Sequence, residues 1–169
     1  LPNQGHFFNA GYPTARFTPA GPDHAQIASV NGVIDYFEAV YSHHFGDEEV
    51  TARGKTSRVR ALFQHTERRN LQPLLDFLGQ HPSVHLIGKT ITKNRAPTVS
   101  FTVKGRDPAE IAAALAAQKI GIGNGNCYAW RLMEALNIPP STGVARLSFV
   151  HYTNQAEVDR LMEVLDQNL

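Results

Sequence analysis

A single cysteine, Cys127, stands among the 169 residues. One thiol closes no internal disulfide, which excludes the cross-linked framework of a small secreted scaffold and leads us to expect a reducing, cytoplasmic setting. Charge of either sign is in no surplus: 16 Lys and Arg against 15 Asp and Glu leave a formal net charge of +1. That balance gives no electrostatic ground for nucleic acid or an anionic membrane surface as a partner. The densest basic cluster, Arg58 to Arg69, also holds Glu67 and apolar residues and reads as a solvated helix face. No stretch approaches the roughly 18 apolar residues that crossing a bilayer takes. The opening LPNQGHFFN has neither a basic start nor a long apolar run, so it does not read as a secretion signal. With Leu1 rather than Met in first place, a piece of a longer chain is expected.

What is present is the composition of a globular protein. Hydrophobic residues at 42% and charged residues at 18% allow a sizeable core. Residues 1–21 are dense in Gly, Pro, Asn and aromatics without a regular period, which predicts an extended loop. From Pro22, the apolar positions Ile27, Val30, Val33, Ile34, Phe37, Val40 and Tyr41 recur at helical spacing and predict a helix over 22–43. The polar stretch His43 to Gly54 is the best boundary, dividing the chain into 1–45 and 46–169. A second helical region follows over 56–79, with a kink or break near Leu71 because Pro73 interrupts it.

Beyond it, VHLIGK (84–89) and TVSFTV (98–103) read as strands. Asp107-Pro108-Ala109-Glu110 starts a helix with an N-cap acceptor, a first-turn proline and a capping-box glutamate. A short extended piece is expected at 120–122 and a helix over 129–136. VARLSFV (144–150) is the clearest strand, and Asn154 and Glu157 cap a last helix whose stripe is Val158, Leu161, Met162 and Leu165. The order predicts an α/β sandwich: a mixed or antiparallel sheet covered by helices, mainly on one face.

Four features bear chemistry. Alternation along VARLSFV puts Arg146 with Val144, Ser148 and Val150 on one face, and Ala145, Leu147 and Phe149 on the other. A guanidinium is costly to bury unpaired, so Arg146 requires water, a protein carboxylate or a bound anion, and its planar fork suits a carboxylate. The GIGNGNCYAW segment (121–130) sets glycines before a helix start, where backbone N–H groups can face an anion, yet Asn126 stands where the dinucleotide fingerprint requires its last glycine. Cys127 in that loop reads either as a nucleophile of lowered pKa or as an inert, buried thiol. AGPDHAQ (20–26) is a plausible phosphate cradle or an ordinary helix start. The eight histidines form no metal site: His81 and His85 are separated by Pro82, and His43 and His44 would diverge on a helix.

Order and spacing together add a resemblance. Arg16-Phe17 followed by AGPDHAQIASVNGVIDYF, then RAPTVSFTV, DPAEIAAALAAQKIGI, GNCYAWRLMEAL and GVARLSFVHYTNQAEVDRLMEVL, resemble successive blocks of the class V aminotransferase and cysteine desulfurase family over nearly the whole chain. The resemblance implies the C-terminal portion of a fold-type I, pyridoxal-phosphate-dependent enzyme, a transferase or lyase, dimeric in full-length form and acting on a small amino-acid substrate. Residues 1–45 would be the tail of the large cofactor-binding domain with its linking helix, and 46–169 the small domain.

The same resemblance implies roles. Arg146 would hold the substrate α-carboxylate, with Asn126 and Tyr128 at the substrate pocket. Gly21 occupies the place of the family's threonine in a Gly-Thr loop, so it would offer only its backbone to the cofactor phosphate of the neighbouring subunit. Aligning Gly125 with the family's GxxC glycine puts Tyr128, not Cys127, at the persulfide-forming position, and one residue at a helix start turns a side chain by about 100 degrees. The lysines are Lys55, Lys89, Lys93, Lys104 and Lys119, none in the family's Schiff-base context, so the cofactor lysine is expected upstream and the fragment is expected to be inactive alone. A reading of another class is a catalytically silent binding or dimerisation module.

Overall fold

The computed structural model describes Gly11, residues 23–46, Glu48 and residues 50–169. The expected loop over 1–21 and the candidate Gly21 lie outside them, apart from Gly11. The chain gathers into two compact units, Leu1–Val59 and Arg60–Leu169.

In the first unit, helix α1 runs His24–Phe45. Its N-cap is Asp23, whose carboxylate accepts from the backbone N–H of Ala25 and Gln26, satisfying donors that a helix start leaves orphaned. Gly46 ends it at φ 67°, where a β-carbon would be strained. The apolar stripe foreseen on this helix is mostly open: Ile27, Val30, Val33 and Ile34 are exposed, and Tyr41 is buried. Arg58 grips Glu48 with two prongs at 2.5 and 3.1 Å, and Lys55 pairs with Glu38.

Helix α2 spans Ala52–Gln80 without interruption, so of the kink or break expected near Leu71 the break does not occur. Proline inside a helix costs about 3 kcal/mol, because it lacks an N–H and crowds the preceding turn. Leu71, Leu74, Leu75 and Leu78, all buried around Pro73, each return about 1.5–3 kcal/mol by leaving water, which is enough to carry the helix through.

The second unit is an α+β sandwich. Strands β1 (Val84–Ile87), β2 (Thr98–Val103), β3 (Gly123–Gly125) and β4 (Val144–Ser148) form one antiparallel sheet in the order β1-β2-β4-β3. Helices α3 (Pro108–Ala117), α4 (Trp130–Ala135) and α5 (Gln155–Asp166) complete it. The short extended piece was expected at Ile120–Ile122, and the strand, at the sheet edge, lies three residues later. Those isoleucines instead pack, partly buried, against the core, where their apolar surface gains more than in a solvated edge.

One core joins Val99, Phe101, Val103, Ala145, Leu147 and Phe149 of the sheet to the leucines of α2, Ile111 and Leu115 of α3, and Val158, Leu161, Val164 and Leu165 of α5. Helices α2, α3 and α5 therefore share one face of the sheet. On α5 the capping box is complete: Asn154 accepts from the N–H of Glu157, whose carboxylate accepts from the N–H of Asn154. The other face of the sheet carries Thr98 and Ser100 from β2 with Arg146 and Ser148 from β4, and these stay partly or fully open.

Candidate functional site

The open face owes its character to alternation. Since successive strand residues point to opposite sides, burying Ala145 and Leu147 forces Arg146 outward. Ser100 faces Arg146 across the β2–β4 pair, and Gly123 faces it across the β3–β4 pair. Thr98 and Ser148 pair further along, with hydroxyl oxygens 3.4 Å apart. Among the described residues no carboxylate or carbonyl pairs with the Arg146 guanidinium.

Arg95 shows the contrasting case. Its guanidinium donates to the carbonyls of Ile87, Lys89 and Thr98, knitting the β1–β2 connection together, and burial lowers its pKa. A structural arginine spends its donors on backbone in this way. Arg146 leaves all of its donors available on an exposed strand face, which suits an incoming carboxylate.

From Gly123, β3 leads to a tight turn, Asn126-Cys127-Tyr128-Ala129. Cys127 (φ 51°) and Tyr128 (φ 61°) are both left-handed, and the N–H of Ala129 donates to the carbonyl of Asn126 at 2.8 Å. Two consecutive positive φ values closed by that bond make a type I′ turn, normally the province of Asn and Gly. Asn126 shapes it from both ends of its amide, accepting from the N–H of Tyr128 and donating to the carbonyl of Pro140. Cys127 turns its thiol back toward the Gly125 carbonyl at 3.7 Å. Tyr128 stands fully exposed at the tip, with relative exposure of 106%. Both residues precede α4 rather than opening it, so what separates their directions is the turn, not helical rotation.

The structure thus links Arg146 through β3 to the turn bearing Asn126, Cys127 and Tyr128, while Gly21 lies outside the described residues. Sequence reasoning missed Ser100 and Gly143 and named Gly123 only as a loop glycine, because their relevance follows from strand register and backbone approach. A separate hollow of about 450 Å³ is lined by Thr102, Arg106, Asp107, Ile138 and Thr142. Its charged groups are already engaged: Arg106 with the Asn168 carbonyl, and Asp107 as the cap of α3. Among the described residues no group of three or more His, Cys, Asp or Glu is placed to hold a metal ion, and no helix is long and apolar enough to cross a membrane.

A four-stranded antiparallel sheet, helices on one face and an arginine on the other define a partial fold-type I domain. Residues 58–161 match the aminotransferase class-V family, and the chain belongs to that family. It is 28% identical, over its whole length, to the aminotransferase-like protein FGM3 of Gibberella zeae, of which it covers 39%. To a probable cysteine desulfurase of Streptomyces coelicolor it is 26% identical over 89% of its length, covering 31% of that protein. Among solved structures, it resembles the apo cysteine desulfurase of Thermococcus onnurineus with a TM-score of 0.60 and 26% identity, over 69% of this chain and 28% of the other. The Escherichia coli cysteine desulfurase CsdA gives a TM-score of 0.65 at 17% identity, over 89% of this chain and 31% of that one, a likeness of fold. The chain thus spans well under half the length of these relatives.

Proposed function

We propose that this chain is the carboxylate-anchoring segment of a pyridoxal-phosphate enzyme acting on an amino acid. The observation that carries the proposal is Arg146: a permanent positive charge on the open sheet face, paired with nothing among the described residues. Its fork receives the substrate α-carboxylate in a two-pronged contact and fixes the orientation of the α-carbon. Tyr128, held out by the left-handed turn, forms part of the pocket wall, and Asn126 holds that turn in shape. Cys127, its thiol directed back at its own strand, is not the nucleophile in this reading.

Pyridoxal phosphate supplies an electron sink for carbanion chemistry when bound. The residues present do not fit its covalent attachment. Lys55 pairs with Glu38, Lys89 donates to the Asn94 carbonyl, and Lys93, Lys104 and Lys119 lie in connections, so none shares the strand face with Arg146. The cofactor lysine belongs to the part of a family-length protein beyond this segment. In that view residues 1–45 end the larger domain, 46–169 are the small domain, and the intact enzyme is a cytoplasmic homodimer. The isolated segment is inactive.

The test is Arg146→Ala in the family-length protein. A raised KM for the amino-acid substrate supports the anchor, and unchanged KM and kcat/KM remove Arg146 from that role.

A further inference from the structure

Arg146 does not stand upright on the sheet. A β-carbon built on Gly123 would lie 3.7 Å from the Arg146 Nε and 3.9 Å from its Cβ. Directly opposed β-carbons on antiparallel strands usually sit about 4.5–5.5 Å apart. The pair is therefore close, and the side chain leans over β3, beside the space where a side chain larger than alanine would carry atoms. Ser100, the partner on the other side, offers a short side chain and no carboxylate. The lane over Gly123 is left to the guanidinium.

We infer that Gly123 is a positioning residue that fixes where Arg146 presents its fork, and so where a carboxylate is held. The inference rests on the reading of Arg146 as the carboxylate anchor. Steric reach gives it a sharp expectation. Alanine at position 123 meets Nε at an ordinary contact distance and is tolerated. A β-branched side chain adds methyls about 1.5 Å beyond the β-carbon, a carbon–carbon bond length. Such methyls intrude on the Nε or on the path to it, and they stiffen the obstruction because the rotamer is restricted. Valine is otherwise well suited to a strand, and the built β-carbon also stands 3.6 Å from the Arg146 backbone oxygen, an ordinary contact.

The experiment is an acetate titration of the isotopically labelled chain by NMR, following the Arg146 Nε–H signal and contacts between the Gly123 α-protons and the Arg146 side chain. In the wild type those contacts are present and acetate shifts the signal. Gly123→Ala keeps the acetate affinity within twofold. Gly123→Val moves the Arg146 signal in the absence of acetate and weakens the affinity fivefold or more, while core methyl signals stay in place. An affinity for acetate in Gly123→Val within twofold of wild type overturns the positioning role. Arg146→Ala, read on the backbone amide signals of β3 and β4 that acetate also shifts in the wild type, separates the two ideas: an acetate response that survives it, or is missing from the wild type, defeats the anchor reading itself and the inference with it.

Discussion

A β-carbon on Gly143 would lie 2.0 Å from the carbonyl carbon of Gly125. The two backbones meet where the turn before β4 crosses the end of β3, and Gly143 is also left-handed, at φ 68°. Two glycines thus clamp the base of the turn that carries Tyr128.

Gly143→Ala is expected to be poorly tolerated. The left-handed backbone alone costs about 1–3 kcal/mol for a residue with a side chain, and the overlap with Gly125 adds to it. For a chain of this size each kcal/mol lowers the melting temperature by about 2–4 °C. Thermal unfolding followed by circular dichroism checks this, and a melting temperature within about 2 °C of wild type contradicts the clamp.

The two arginines of the sheet should behave oppositely in the isolated segment. Arg146→Ala removes an exposed, unpaired group, so stability should change by no more than about 0.5 kcal/mol. Arg95→Ala takes the donors away from three carbonyls and should cost about 1–3 kcal/mol. Urea unfolding of both variants gives the comparison, and equal losses would mean that Arg146 has a structural role.

Asn70 is the buried polar side chain of the core, donating to the Thr153 carbonyl and so tying α2 to the turn before α5. Asn70→Ala strands that carbonyl, with an expected loss of about 1–3 kcal/mol in urea unfolding. A loss below about 0.5 kcal/mol would show that water replaces the bond.

The Glu48–Arg58 pair gives a pH signature. The hydrogen bond from Arg58, and then its charge, hold the Glu48 carboxyl below its ordinary pKa. A depressed folded-state pKa contributes stability above the unfolded-state pKa and loses it as pH falls through the folded-state value. The wild type should therefore exceed Glu48→Gln in stability at neutral pH, with the difference fading in acid. Because the pair is solvent-exposed, high salt should shrink the difference too. A gap independent of pH would rule out the ion pair as its cause.

Legibility in the sequence followed the range of the interaction. The bounds of β2 and the α5 capping box were readable because alternation and capping act within a few residues. The edge strand at Gly123–Gly125 was not, since glycines have little strand preference and only pairing with β4 makes them one. Whether α2 would run unbroken was left open because Pro73 is a local signal that tertiary burial overrules. In the site, the outward direction of Arg146 came from alternation, whereas its lean over Gly123 depends on a register between strands more than twenty residues apart. The turn at Cys127 and Tyr128 was hidden for a different reason: neither residue type favours a left-handed backbone.

The most direct measurement compares kcat/KM for an amino acid with that for the amine lacking its carboxylate, in the family-length protein and in its Arg146→Ala variant. A hydrogen-bonded charge contact is worth at least about 2 kcal/mol, roughly 30-fold, so the wild type should favour the amino acid by that factor or more. In Arg146→Ala the ratio should fall toward one. A ratio that stays at its wild-type value would contradict the assignment of Arg146 as the group that holds the substrate's acid end.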